Sequence, residues 1–275
     1  MNKRIFLGVF TVVLVLCLPV LLFADGRNLR VHFIDVGYGD AILVEFPRGE
    51  FILVDAGDAQ YAEYLEEYLL AQDIKEIKFA ILTHPHKNHF GGFFSVTGRW
   101  PIEQFYINGD AKNAEEGYDG LEKMLQDKNI PVSILRKEDE FFLDEAGLYL
   151  KVLHPQRLTG SGNGNAIVLQ LVYQETSFLL TSDIQREQQK QLFVDYPEIV
   201  SASCIQIPHH GGEIDDRFAK AFGNDSIFIV STGENIYQKP FEHELSKLKG
   251  KVLRTDLEGD IVVQSDGHSV RVIYE

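Results

Sequence analysis

The chain of 275 residues has little cysteine and little positive charge. Its two cysteines are Cys17 and Cys204, and the first lies in an N-terminal apolar run. Without that run only one thiol remains, which excludes an internal disulfide and a cysteine-based zinc site. Asp and Glu outnumber Lys and Arg by 41 to 26, for a net charge of −15. This balance argues against a scaffold that attracts nucleic acid through its overall field, although a bound metal could still attract a phosphate locally.

The sequence also lacks internal repeats and low-complexity linkers, and its hydrophobic content of 45% is ample for a sizeable core. One run is unusual. Lys3 and Arg4 precede the uncharged stretch 5–24, and Asp25 follows it. This pattern predicts that residues 1–24 are a secretory signal peptide, with cleavage after Ala24 as one candidate site, or else an uncleaved N-terminal membrane anchor. Both interpretations predict a protein that is exported, either secreted or periplasmic, and membrane-bound only if the segment stays uncleaved.

Strand and helix patterns interleave along the rest of the chain. Apolar residues at positions 61, 64, 65, 68 and 69 follow the spacing of one helix face, and 185–193 is a second predicted helix. Interleaved elements predict two mixed sheets covered by helices. The predicted strands are 29–36, 41–46, 51–55, 79–82, 148–153, 166–173, 178–181, 203–207, 227–230, 252–254, 261–264 and 270–274.

The strongest chemical signal is a histidine-rich loop directly after the strand 79–82. His84, His86 and His89 fall within six residues, in a chain with nine histidines. Histidines two apart in an extended segment project to the same side, and neutral imidazole is a preferred ligand of zinc and related metals. The loop therefore predicts a metal site. The alternative, a solvent-exposed loop that happens to be rich in histidine, fits less well because histidine is scarce elsewhere.

Two further strand ends carry potential metal ligands. The strand 178–181 leads to Asp183, a carboxylate that could complete a metal site or simply cap the following helix. The strand 203–207 leads to His209 and His210, which are followed by two glycines. This pair could bind metal or could be a packed pair of histidines. Three aspartates beside glycines could orient ligand histidines or could be ordinary turn residues, namely Asp35, Asp40 and Asp55.

Together and in this order, these segments resemble the metallo-β-lactamase superfamily. More closely they are similar to the ComEC-type hydrolase domain of DNA-uptake competence proteins and related phosphorylcholine esterases. The tail segments 234–240 and 253–261 are similar to the closing pattern of that subgroup. The resemblance implies an α+β fold, a four-layer αββα sandwich, in a hydrolase domain over residues 28–275. It also implies the site residues: His84 and His86 as ligands of a first metal, His89, His209 and position 88 as ligands of a second, Asp183 as the bridging carboxylate, and Asp55 as the supporting aspartate.

Three positions depart from the family pattern. Asn88 stands where the family loop carries aspartate, Ala166 where it carries serine, and Lys239 where a histidine precedes the tail proline. An amide is a weaker ligand than a carboxylate, so we expect one zinc or manganese ion to be bound firmly and a second only weakly. Each of the other two changes also removes a polar group expected near the metals or the substrate.

The function implied is metal-dependent hydrolysis of a phosphoester by an activated water, in the manner of a phosphodiesterase or nuclease. The expected partners are nucleic acid and, next, a phosphocholine-like ester. Asp183 and His210 are the predicted catalytic residues, with His210 acting as a general acid or hydrogen-bond donor to the leaving group. One alternative is a non-catalytic binding protein with the same fold, motivated by Asn88, Ala166 and Lys239. Another is hydrolysis of a β-lactam, lactone or thioester.

Overall fold

A computed structural model of the protein describes residues 28–143 and 147–273. The predicted signal peptide or anchor, 1–24, lies outside the described residues, as does the end of the last predicted strand at residue 274. Within the described ranges, no helix is long and apolar enough to cross a membrane.

Most of the chain between the loops is β-strand. The strands are β1 Leu29–Phe33, β2 Ala41–Glu45, β3 Phe51–Ala56, β4 Ile77–Leu82, β5 Ile102–Ile107, β6 Val132–Ile134, β7 Glu140–Phe142, β8 Leu148–His154, β9 Val168–Tyr173, β10 Thr176–Leu180, β11 Cys204–Gln206, β12 Ile227–Val230, β13 Lys251–Arg254, β14 Ile261–Ser265 and β15 Val270–Ile273. The predicted strands therefore correspond to observed ones, with shifts of a few residues at their ends.

Helices connect these strands. The α-helices are α1 Ala62–Ala71, α2 Lys87–Phe90, α3 Phe93–Arg99, α4 Tyr118–Asp127, α5 Arg186–Asp195, α6 Asp216–Ala221, α7 Glu242–Leu245 and α8 Thr255–Glu258. Short 3-10 turns occupy Ala59–Tyr61, Ala111–Asn113, Asn163–Asn165, Pro197–Ser201 and Pro208–His210.

The strands form two mixed sheets. The first has the order β15-β14-β1-β2-β3-β4-β5-β6 and the second β13-β12-β11-β10-β9-β8-β7. In the first sheet, the pairs β3–β4, β4–β5 and β5–β6 are parallel and the other pairs are antiparallel. In the second, β10 to β13 are parallel and β7 to β10 antiparallel. The C-terminal hairpin β14–β15 returns to the first sheet beside β1.

Three apolar cores separate four layers. The central core lies between the two sheets and contains Phe33 and Phe178, both fully buried. A second core lies between the outer face of the first sheet and helices α1, α3 and α4, and a third lies between the second sheet and helices α5 and α6. Burial of each large apolar side chain contributes about 1.5–3 kcal/mol. The order helix, sheet, sheet, helix confirms the predicted αββα sandwich.

The histidine loop is held close to β3 by a glycine. A Cβ atom at Gly92 would lie 2.0 Å from the carbonyl oxygen of Ala56, so a larger residue would push the segment away. Gly39 similarly leaves room for the carbonyl oxygen of Asn88, which accepts a hydrogen bond from the backbone N–H of Asp40 at 3.2 Å. The loops that follow β1, β3 and β4 are therefore packed together at one edge of the sandwich.

Candidate metal centre

The histidine loop begins where β4 ends and leads into the short helix α2. His84 is fully buried, whereas His86 is half-buried. His84 Nε2 and His86 Nδ1 lie 3.0 Å apart, so the two rings present nitrogens to a common point. The spacing of two residues therefore brings both imidazoles to the same side, as the sequence predicts.

Hydrogen bonds fix which nitrogen of each buried ring faces inward. His89 Nδ1 donates to Asp55 Oδ2 at 2.8 Å, since a carboxylate only accepts. Thr83 Oγ1 donates to the same carboxylate at 2.7 Å and can accept from His84 Nδ1 at 3.1 Å. Both rings therefore use Nδ1 for these contacts and turn Nε2 inward. Asp55 thus accepts hydrogen bonds from Thr83 and His89, and the second of these orients the His89 ring.

Asp183 stands between the histidines on the loop after β10. Its Oδ2 lies 3.9 Å from His84 Nε2 and 3.7 Å from His209 Nε2. Its Oδ1 lies 3.5 Å from His89 Nε2 and 3.3 Å from His210 Nε2. Each carboxylate oxygen therefore faces its own pair of histidines. This is the arrangement that a carboxylate bridging two cations would require.

The histidine pair after β11 is arranged differently from the prediction. His210, and not His209, faces Asp183 Oδ1 together with His89. His209 lies on the Oδ2 side, where its Nε2 contacts Asn163 Nδ2 at 2.9 Å. Both histidines adopt left-handed backbone angles, φ 54° and 57°, and this turn decides which ring points inward. The position expected for His209 beside His89 is therefore occupied by His210, which is almost completely buried.

Asn88 contacts the same ring. His210 Nδ1 lies 3.0 Å from the carbonyl oxygen of Ser231, which can only accept, so Nδ1 carries the proton. In the neutral ring His210 Nε2 is an acceptor, and Asn88 Nδ2 donates to it at 3.0 Å. The amide therefore binds the lone pair that a metal at the second position would need.

Sequence reasoning left the aspartates of the first loop open, and the structure separates them. Asp40 is buried, with Oδ1 3.9 Å from His210 Nδ1 and Oδ2 3.7 Å from His89 Nδ1. Asp35 instead accepts a hydrogen bond from the backbone N–H of Gly37, as a turn residue does. Burial and the approach to His89 and His210 distinguish Asp40 from Asp35, and neither is visible in the turn pattern.

Thr83 and Ser182 had no predicted role. Their hydroxyl oxygens lie 2.7 Å apart, which joins the histidine loop to the loop that carries Asp183. Ser182 has a φ of 48°, and Gln206 Oε1 accepts a hydrogen bond from its backbone N–H at 3.0 Å. A threonine directly before the first histidine and a serine directly before the aspartate were the available signals.

Ala166, one of the departures from the family pattern, is fully buried in the core beside helices α5 and α6.

The electrostatics of the centre favour a positive charge. Burial raises the pKa of Asp183, but His210 and His89 outweigh it and hold that pKa well below its usual range. Burial lowers the pKa of His89, yet the charges of Asp183 and Asp55 prevail and hold it well above the usual value. The pKa of His84 is well below its usual value, because burial and the positive charge of His89 both disfavour its protonation. The cluster thus stabilises a cation among its carboxylates.

Unpaired polar atoms indicate where such a cation fits. His89 Nε2, Asp183 Oδ1 and Asp40 Oδ1 are buried and have no hydrogen-bond partner among the described residues. In the same part of the chain, donor atoms within 4.8 Å of one another form three groups: His84, His89 and Asp183; Asp40, Asp55 and His89; and Asp40, Asp183 and His210. Neither His86 nor His209 belongs to these groups. Buried imidazole and carboxylate clusters of this kind are consistent with metal binding.

The fold and this buried cluster define the class of protein. The family model of the metallo-beta-lactamase superfamily matches residues 34–203, more than half of the chain. The chain therefore belongs to this superfamily of metal-dependent hydrolases, which confirms the resemblance drawn from its motifs.

Two of its curated relatives are competence proteins. The chain is 25% identical to ComE operon protein 3 of Bacillus subtilis (strain 168) over 278 residues, covering 91% of this chain and 34% of the relative. It is 24% identical to competence protein ComA of Neisseria gonorrhoeae over 231 residues, covering 82% of this chain and 30% of the relative. The chain thus spans about a third of the length of these relatives, to which it is distantly homologous.

Solved structures show the same fold. Tm1679, a metal-dependent hydrolase of the beta-lactamase superfamily, superposes with a TM-score of 0.55 at 13% identity, covering 86% of this chain and all of that one. CmlA, a diiron beta-hydroxylase from Streptomyces venezuelae, superposes with a TM-score of 0.54 at 13% identity, covering 87% and 54%. At these identities the likeness concerns the fold alone.

Proposed function

We propose that this chain is an exported metal-dependent hydrolase of phosphodiesters. One observation carries the proposal: His84, His89 and Asp183 place buried ligand atoms within 4.8 Å of one another, and His89 Nε2 and Asp183 Oδ1 have no hydrogen-bond partner in the described part of the chain. Unpaired buried polar atoms are costly, so a group that binds them all at once is expected. The choice of a phosphodiester as substrate rests on the resemblance of the motifs to the ComEC-type hydrolase domain.

The donor chemistry fits zinc or manganese. His84, His86 and Asp183 would hold a first ion, and His89, Asp183 and His210 a second, more weakly bound one beside Asn88. When bound, a divalent cation supplies Lewis-acid polarisation of a phosphoryl oxygen and activation of water. The assignment of His210 to the second ion replaces the predicted His209, because His210 faces Asp183 Oδ1.

The protein groups then have separate tasks. Asp55 holds the proton of His89 on Nδ1 and so keeps Nε2 free. The carbonyl oxygen of Ser231 does the same for His210. Because both nitrogens of His210 are engaged in a buried site, this ring is poorly placed for the general-acid role predicted for it. His209, a quarter exposed at the edge of the centre, has the better access to a substrate.

The test is turnover of bis(p-nitrophenyl) phosphate by protein loaded with zinc or manganese. We expect metal-dependent release of p-nitrophenol, abolished in Asp183→Asn and retained in Asp127→Asn, a matched change at the exposed end of helix α4. Loaded wild-type protein that hydrolyses no phosphoester or nucleic acid would contradict the proposal.

For export, cells expressing the full chain should be fractionated. Soluble cytoplasmic protein with residue 1 intact would refute that part.

A second candidate function is a binding protein that keeps the fold without turnover. The observation that favours it is the hydrogen bond from Asn88 to His210, since it fills the second metal position with an amide. This reading predicts protein that binds one metal, binds phosphoesters and leaves them intact. Metal content measured together with hydrolysis separates the two functions.

A further inference from the structure

Lys239 is a half-buried lysine at the edge of the metal centre without an acidic partner. Its Nζ donates a hydrogen bond to the hydroxyl of Tyr38 at 3.0 Å, and no carboxylate among the described residues lies within ion-pair distance of it. Burial is unfavourable for an ammonium group, and the negative charge of Asp183, which lies beyond ion-pair distance, offsets this only in part. A lysine kept in this state is available for an anion that arrives from solution.

The loop that carries Lys239 is held rigidly. The side chain of Asn235 donates to the carbonyl oxygens of Gly233 and Lys239, at 2.7 and 2.8 Å, and accepts from the backbone N–H groups of Tyr237 and Lys239. The next residue, Pro240, rests on Gly211, where a Cβ atom would lie 2.4 Å from the proline ring. The lysine is thus fixed against the turn that contains both histidines.

Lys239 also lines an open cleft beside the metal centre. The cleft has a volume of about 380 Å³, and His209, Lys239 and Arg186 are among its lining residues. Its floor includes Ile184, the residue after Asp183. A phosphoester that entered by this cleft would meet the lysine next to the buried histidines. Glu187 and Glu213 also line the cleft, and Arg186 is paired with Glu213 and Glu244, so Lys239 is the lining cation that has no ion-pair partner in the described part of the chain.

Two aromatic rings, those of Tyr38 and Tyr237, lie close to the ammonium group of Lys239. The ammonium lies 5.6 Å from the ring centroid of Tyr38 and 5.6 Å from that of Tyr237, and the two rings are 5.5 Å apart. Tyr38 also contacts His210, with ring centroids 4.4 Å apart. Aromatic faces of this kind are what a quaternary ammonium ligand needs. Here both rings already contact the ammonium group of Lys239, and its positive charge repels a second cation.

We propose that Lys239 determines substrate specificity by binding an anionic phosphoryl oxygen, and that the lysine together with Tyr38 and Tyr237 excludes esters that carry a cationic headgroup. The proposal rests on the proposed function, in that the substrate is a phosphodiester. It predicts that the site accepts a nucleotide ester and rejects a phosphocholine ester, and it gives a role to a residue that departs from the family pattern.

The experiment measures binding to full-length protein stripped of metal by chelator. The probes are thymidine 5′-monophosphate and p-nitrophenylphosphorylcholine, titrated calorimetrically against wild type, Lys239→Met and Lys239→Arg. Loss of one charge-assisted hydrogen bond predicts about 10-fold to 100-fold weaker nucleotide binding for Lys239→Met, with substantial recovery in Lys239→Arg. Both probes have an anionic phosphoryl oxygen, so the distinguishing result is the ratio of their dissociation constants: the preference for the nucleotide should fall in Lys239→Met, which a purely structural role would not produce.

Lys75→Met, a change of the same charge on an exposed turn, is the control and should bind both probes as wild type does. Equal nucleotide binding by wild type and Lys239→Met would overturn the proposal, as would absence of nucleotide binding by wild type in the millimolar range. If wild type binds the nucleotide through Lys239 but the loaded protein hydrolyses nothing, the proposed function fails and this inference stands. If the loaded protein hydrolyses diesters and KM is unchanged in Lys239→Met, this inference fails and the proposed function stands.

Discussion

Replacement of Asn88 by aspartate should destabilise the metal-free protein and make it bind a second metal. The amide nitrogen of Asn88 lies 3.0 Å from His210 Nε2, which in turn lies 3.3 Å from Asp183 Oδ1. A carboxylate at position 88 would therefore stand within about 6.3 Å of Asp183, the sum of those distances. At an effective dielectric constant of about 20, two like charges at that separation repel by about 2.6 kcal/mol or more.

The lost hydrogen bond to His210 adds about 1 kcal/mol, so metal-free Asn88→Asp should be roughly 3–4 kcal/mol less stable than wild type. A divalent cation reverses the sign of this effect, because the new carboxylate then binds a positive charge. We expect Asn88→Asp to regain stability on addition of zinc or manganese, to bind two ions per chain, and to hydrolyse bis(p-nitrophenyl) phosphate faster than wild type.

The assay is urea unfolding with and without metal, combined with elemental analysis of the protein. Asn129→Asp, at an exposed position, serves as a matched control and should change neither quantity. Wild-type protein that already binds two ions tightly would show that the amide is an adequate ligand and that the argument from charge is wrong. So would metal-free Asn88→Asp with wild-type stability. If the variant binds two ions and hydrolyses no substrate, the non-catalytic function gains over the hydrolase.

Three further changes test other parts of the structure. His84→Ala should lower metal affinity at least about tenfold, and His243→Ala, an exposed histidine, should leave the metal content measured by elemental analysis unchanged. Gly92→Ala should cost about 1–3 kcal/mol in urea unfolding because its Cβ meets backbone, whereas Gly98→Ala in helix α3 should stabilise the protein slightly; equal effects would refute the packing argument. Burial lowers the pKa of His154, so the unfolded chain binds its proton first as pH falls below about 6.5. Metal-free protein should thus lose up to about 1.4 kcal/mol at pH 5.5 through this group, and His154→Gln should lack that loss; an unchanged pH slope would contradict this.

The sequence predicts the chemistry of the centre better than its geometry. The histidine loop, Asp183 and the histidine pair were all recognisable, because each follows an apolar strand directly. Which histidine of the pair faces Asp183 depends on two left-handed backbone angles, at His209 and His210. No residue type requires such angles there, so the pattern could not decide between the two rings. The nearness of Asn88 to His210 likewise depends on packing between loops that are 122 residues apart in sequence.

Some elements of the fold could not be predicted from the sequence patterns either. No element was predicted between residues 92 and 148, where the structure has α3, β5, α4, β6 and β7. Strands β6 and β7 have three residues each, too few to show an alternation. Helix α4 has Gly120 in its first turns, which lowers its helical propensity. These elements form because the neighbouring strands and the second core offer them a surface, and that surface exists only in the folded chain.

The donor set is divided between the two sheets. His84, His86 and His89 follow a strand of the first sheet, and Asp183 and His210 follow strands of the second. In the described residues the loops meet directly through the hydroxyls of Thr83 and Ser182. An ion bound to both sets would cross-link the two sheets, and its binding site would exist only when both sheets are assembled. By thermodynamic linkage its binding energy would then count as folding energy, about 2.7 kcal/mol at a free ion concentration one hundred times the Kd. Resistance to unfolding, and with it to proteolysis, would rise and fall with the supply of metal.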